Sequence, residues 1–75
     1  MYNSEIEPII VTVDEAYLGS IQAVATTLQQ AGMTVNNILP VLGIITGEVP
    51  RSQRESLKSV AGVLAVEEDG EMRAI

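Results

Sequence analysis

The sequence predicts an α+β domain with the element order strand, helix, strand, strand, helix, strand. A β-branched run alternates over Ile9–Val13, apolar residues then recur every three or four positions from Tyr17 to Ala31, and two short apolar runs flank a Pro40 to Gly43 turn. A second, shorter apolar stripe at Leu57 and Val60 precedes Gly62, after which Val63–Val66 forms a last apolar run.

The first strand has Pro8 at its start, where a missing N–H is tolerated. Ile9, Val11 and Val13 form its uniformly apolar face. Ile6, Ile10 and Thr12 form a mixed opposite face that stays open to solvent or to a partner. Asp14 is placed to cap the first helix, with Glu15 in the turn where negative charge meets the helix dipole favourably. Tyr17, Leu18, Ile21, Val24, Ala25, Leu28 and Ala31 make the buried stripe of that helix, and Gln22, Thr26, Gln29 and Gln30 its wet side. Gly32 ends it. Gly19 lies inside it, where glycine costs about 1 kcal/mol against alanine, and close helix-to-sheet packing is the expected reason.

Met33–Leu39 reads as a second strand, with a bulge expected at Asn36-Asn37. Leu42, Ile44 and Ile45 open a third strand running through Thr46, Gly47, Glu48 and Val49, close enough to the second to form a hairpin. Pro50 suits the first turn of a second helix, on which Leu57 and Val60 face inward and Arg51, Arg54, Glu55 and Lys58 face water. Val63–Val66 is the fourth strand, followed by the acidic run Glu67, Glu68, Asp69 and a six-residue tail, residues 70–75. Two right-handed crossover units sharing a central hairpin place both helices on one face of a four-stranded antiparallel sheet, the ferredoxin-like arrangement. The first and third strands are expected at its centre, the second and fourth at its edges, and one sheet face is left uncovered.

A chain of 75 residues makes one domain, residues 1–75, near the lower limit for a self-supporting core. Such a core rarely supplies more than about 3 to 5 kcal/mol, and without cysteine or histidine no disulfide or zinc site can reinforce it. The 47% apolar content nevertheless suits a folded domain. A net charge of −6 argues against nucleic acid, whose recognition rests on phosphate neutralisation by lysine and arginine. The N-terminal residues carry no basic region leading into an apolar one, and no apolar run approaches membrane-spanning length. The expectation is a soluble chain that stays in the cytoplasm and has no membrane partner.

The same composition narrows the chemistry. The commonest general base, the commonest metal ligand and the thiol nucleophile are all missing, and the one lysine, Lys58, falls on the polar side of a helix. Catalytic residues are therefore not expected, nor is a cofactor. Glu67, Glu68, Asp69 and Glu71 lack the glycine and closing glutamate of a calcium loop, and no metal site is assigned to them.

The stretch Gly62-Val63-Leu64-Ala65-Val66-Glu67-Glu68-Asp69, arriving after a helix headed by Pro50 and carrying Leu57, resembles the closing motif of subtilisin propeptides and their free-standing inhibitor relatives. The strand Ile9–Val13 and the element order match as well, so the resemblance runs from about residue 8 onward, although only the final motif is specific. The resemblance implies an inhibitor, or a folding assistant in trans, of a subtilisin-like serine protease. Such proteins cover the protease with the open sheet face and send the tail into the substrate cleft in a product-like pose.

By that register Ile75 occupies the first subsite and Met72 the fourth, with Arg73 and Ala74 between them; extended, the six tail residues reach roughly 20 Å. Glu67 and Asp69 match the positions whose carboxylates cap two helices of the protease, and Ile6, Ile10 and Thr12 are the sheet-face contacts. Residues 1–75 hold no protease domain of their own, so for these residues alone the action expected is in trans. The alternative is a small non-enzymatic interaction domain that pairs with itself as a homodimer through the open face.

Overall fold

The computed structural model describes residues 5–69. Four strands, β1 (Ile6–Val13), β2 (Thr34–Leu39), β3 (Ile44–Pro50) and β4 (Val63–Glu68), form one antiparallel sheet in the order β2-β3-β1-β4. Helices α1 (Ile21–Gln30) and α2 (Arg54–Leu57) complete the ferredoxin-like βαββαβ order. As the pattern predicts, β1 and β3 are central and β2 and β4 are edges.

Alternation in β1 decides which side is the core. Ile9, Val11 and Val13 are buried and meet Ile45 and Val49 of β3, Val66 of β4, Val24, Ala25 and Leu28 of α1 and Leu57 of α2 in a single cluster. Ile10 and Thr12 point the other way. The sheet is irregular at two places. The β2–β3 register shifts between Val35 and Asn37, a bulge where two asparagines interrupt the apolar run, and the β1–β4 register shifts so that Leu64 is the extra residue. β1 begins two residues ahead of Pro8, which the sequence placed at the strand's start. Proline still ends the pairing: its carbonyl accepts from the Asp69 N–H at 3.0 Å, but it has no N–H to return, and the ladder to β4 stops there.

The first helix departs from its expected form. Asp14 does cap it, accepting from the Ala16 N–H at 2.9 Å, but Glu15–Ser20 is a 3-10 segment and the α-helix begins only at Ile21. Gly19 and Ser20 are weak helix formers at the junction. A 3-10 turn advances about 120° per residue where an α-helix advances about 100°, so the stripe drawn from Tyr17 drifts off the core. Tyr17 is exposed, with its ring over Gly62 instead of inside.

The packing reason expected for Gly19 is overturned: an added Cβ there meets nothing within 4 Å, and the backbone is not left-handed. Gly19→Ala should therefore stabilise the domain by about 0.5 kcal/mol through the unfolded chain, read as a higher denaturation midpoint.

The second helix is a short 3-10 turn, Arg51–Gln53, followed by the four residues of α2. Pro50, expected inside the first turn, instead ends β3 with extended geometry just before it. Arg54, expected to face water, is drawn in. Its Nη1 donates to Glu68 Oε2 at 2.9 Å and lies 3.5 Å from Glu7 Oε1, while Arg51 Nε donates to the other Glu7 oxygen at 3.0 Å. Glu7 is only 13% exposed and sits between the two guanidinium groups. This network ties α2 to the starts and ends of β1 and β4. Among the described residues no helix is long and apolar enough to cross a membrane.

Candidate functional site

Both helical segments pack on one side, so the other side of the sheet is left uncovered by the described residues, and its residues can be read off the register. Leu39, Ile44, Thr12 and Ala65 form one row across β2, β3, β1 and β4. Asn37, Thr46, Ile10 and Glu67 form the next. Thr34, Glu48 and Pro8 form a third, which Asp69 extends through its hydrogen bond to Pro8. Ile6 lies beyond it, opposite Pro50, and is 56% exposed. The face thus grades from aliphatic at one end of the strands to acidic at the other.

The three sheet-face residues expected from the sequence, Ile6, Ile10 and Thr12, do share this face. Ile10 and Thr12 are half-buried by their neighbours in the sheet, so they form its floor. Glu48, Ile44 and Leu39 belong to the same face and were not singled out from the sequence. Their signal was present in principle, since Val49 and Gly47 on either side of Glu48 are buried, but it needs the register of β3 against β1 to become visible.

Strand alternation also divides the acidic run. Glu68 turns to the helix layer and pairs with Arg54, so it is structural. Glu67 lies on the open face, and Asp69 continues its alternation at the face's margin. Neither carboxylate, nor that of Glu48, has an ion-pair partner among the described residues. Arg51, Arg54 and Lys58 are all engaged with Glu5, Glu7, Glu68 or Glu55 instead. One end of the face is therefore negative and uncompensated by the described cations.

The carboxylates are spread along the sheet, and among the described residues no group of three or more metal-ligating side chains comes together. A groove of about 300 Å³ lies on the free edge of β4, lined by Lys58, Val63, Leu64, Ala65 and Val66. It presents an ammonium and aliphatic groups with no convergent polar set of the kind that orients a small ligand. Met72, Arg73, Ala74 and Ile75, the residues assigned to a protease cleft, lie outside the described residues, which end at Asp69.

Compared with known proteins, the chain matches no family model, no curated protein and no solved structure.

Proposed function

We propose that this chain inhibits a subtilisin-like serine protease, docking its open sheet face on the enzyme and placing residues 72–75 in the substrate cleft as a product-like strand. The division of the acidic run carries the proposal. Of three consecutive carboxylates, only Glu68 is used by the fold, while Glu67 and Asp69 are held at the uncovered face with no partner among the described residues.

Two carboxylates, Glu67 on β4 and Asp69 just past its end, two residues apart, suit paired helix N-termini, where unbonded N–H groups and partial positive charge await an acceptor. The sheet orients them. β1 holds β4 by the Ile10–Glu67 pair, and the Asp69 N–H is tied to Pro8, so the backbone carrying both carboxylates needs no ordering on binding. Inhibition then proceeds by occupancy. The tail adds a strand to the cleft edges through main-chain hydrogen bonds, and the side chains of Met72 and Ile75, three residues apart, enter the fourth and first apolar subsites. The inhibitor contributes no chemistry of its own.

The roles of neighbouring carboxylates separate in a paired experiment. Glu67→Gln/Asp69→Asn should weaken inhibition of a subtilisin about tenfold, from two helix-terminus contacts of about 0.7 kcal/mol each, and leave the thermal midpoint unchanged. Glu68→Gln should do the reverse, lowering stability by about 0.5 kcal/mol because its ion pair is half exposed, with inhibition intact. Equal effects of the two variants on inhibition would remove the assignment.

A further inference from the structure

The turn joining β2 to β3 has the wrong side chains for a solvent-exposed turn. Hairpin turns usually carry Gly, Asn, Asp or Ser, yet here Val41 is 96% exposed and Leu42 65% exposed, with Leu39 beside them at 39%. Leu42, expected from the sequence to open β3, lies in the turn instead.

The backbone beneath these side chains is tightly held. The Leu39 carbonyl accepts from the N–H groups of Leu42 at 3.0 Å and Gly43 at 2.9 Å, and the Gly43 carbonyl accepts from the Val13 N–H at 2.8 Å. Gly43 is left-handed, φ +69°, and a Cβ there would approach Leu18 Cδ2 to 3.1 Å, so the turn is pressed against the body of the domain. Isolated exposed aliphatics are ordinary. A fixed, contiguous group of three that adjoins the aliphatic row Leu39, Ile44, Thr12 and Ala65 is a recognition feature.

Area points the same way. Four strands at about 4.8 Å and some six residues at about 3.3 Å give the open face a projected area of about 400 Å². A stable interface takes about 800 Å² from each partner. Surface contiguous with the face must therefore join it.

We propose that the Pro40–Gly43 turn is a preformed apolar anchor that seats in an apolar depression of a partner protein, whose surface turns electropositive along the strand direction, opposite Glu67 about 7 Å and Glu48 and Asp69 about 13 Å from the Leu39–Ile44 row. The proposal rests on the inhibitor reading and specifies what its target must present. Charge selects a foreign partner over a second copy. A two-fold axis in the plane of the face and along the strands would stack the acidic end of the face, with Glu48, Glu67 and Asp69, on itself. One across the strands would bury those carboxylates against Leu39 and Ile44. The first arrangement repels and the second strips charge of water without compensation, in a chain already at net charge −6.

The test compares the full chain with Val41→Ser/Leu42→Ser, against a subtilisin hydrolysing a small chromogenic peptide, with thermal melts and sedimentation of each. Because neither side chain is packed, the melting temperature should not fall. Inhibition should weaken about 30-fold, as expected when two aliphatic groups lose a buried contact, and both chains should sediment as monomers. Equal inhibition by the two chains overturns the anchor and leaves the inhibitor reading standing. No inhibition by either overturns both. A dimer of the full chain that the double substitution dissolves shows that the turn seats in a second copy, and also overturns it.

Discussion

On the proposed inhibitor reading, a chain shortened to end at Glu71 should lose inhibition by about three orders of magnitude while still binding the protease through its sheet. The magnitude follows from what leaves the cleft. Met72 and Ile75 each forfeit about 2 kcal/mol of apolar burial; those two side chains alone, some 4 kcal/mol, are a factor of about a thousand, and the lost main-chain pairing adds to it. Binding should persist because Glu67, Asp69 and the row Leu39, Ile44, Thr12 and Ala65 lie within the described fold and are untouched by the deletion. Steady-state inhibition and a separate binding isotherm for both chains check this. Undiminished inhibition by the shortened chain would show that the face alone blocks the enzyme and that the tail has no part in it.

Gly47→Ala should be the most damaging single methyl in the domain. Gly47 is buried in the central strand β3, opposite Val35 beside the Asn36 bulge of the edge strand. A Cβ built there collides with the Thr34 carbonyl oxygen and comes within 3.0 Å of both the Thr34 carbonyl carbon and the buried Met33 Cε. Backbone cannot step aside without breaking the β2–β3 ladder, so the clash costs about 3 kcal/mol. Set against a total near 3 to 5 kcal/mol for a core of this size, that leaves a domain barely folded, with its midpoint lowered by more than about 10 °C. Urea denaturation measures it. The same methyl at Gly19 raises stability, and the opposite signs of the two substitutions test the packing directly.

The strands were legible because their faces alternate with period two and the buried set Ile9, Val11 and Val13 is unbroken. Their order followed from short connections and crossover handedness, which leave few topologies for two helices and four strands. Register was less accessible. It depends on where a bulge falls, so Glu48 could not be joined to Glu67 across β1 from the chain alone.

The misjudged positions share a cause. Tyr17 and Gly19 were placed on an α-helical wheel that does not start until Ile21. Arg54 was assigned to solvent because the carboxylate that draws it in, Glu7, lies 47 residues earlier in the chain. Of the candidate site, Glu67 and Asp69 were picked out by resemblance to subtilisin propeptides. Their separation from Glu68 follows from strand alternation and became plain once Arg54 was seen to take Glu68.

The most direct measurement is a titration of a purified subtilisin with the intact chain, following hydrolysis of a small chromogenic peptide at several substrate concentrations. Occupancy of the cleft predicts competitive loss of activity that reaches completion near one inhibitor per enzyme, with the chain recovered uncut from the complex. Activity that persists at large excess while the chain is digested would contradict the account at its centre.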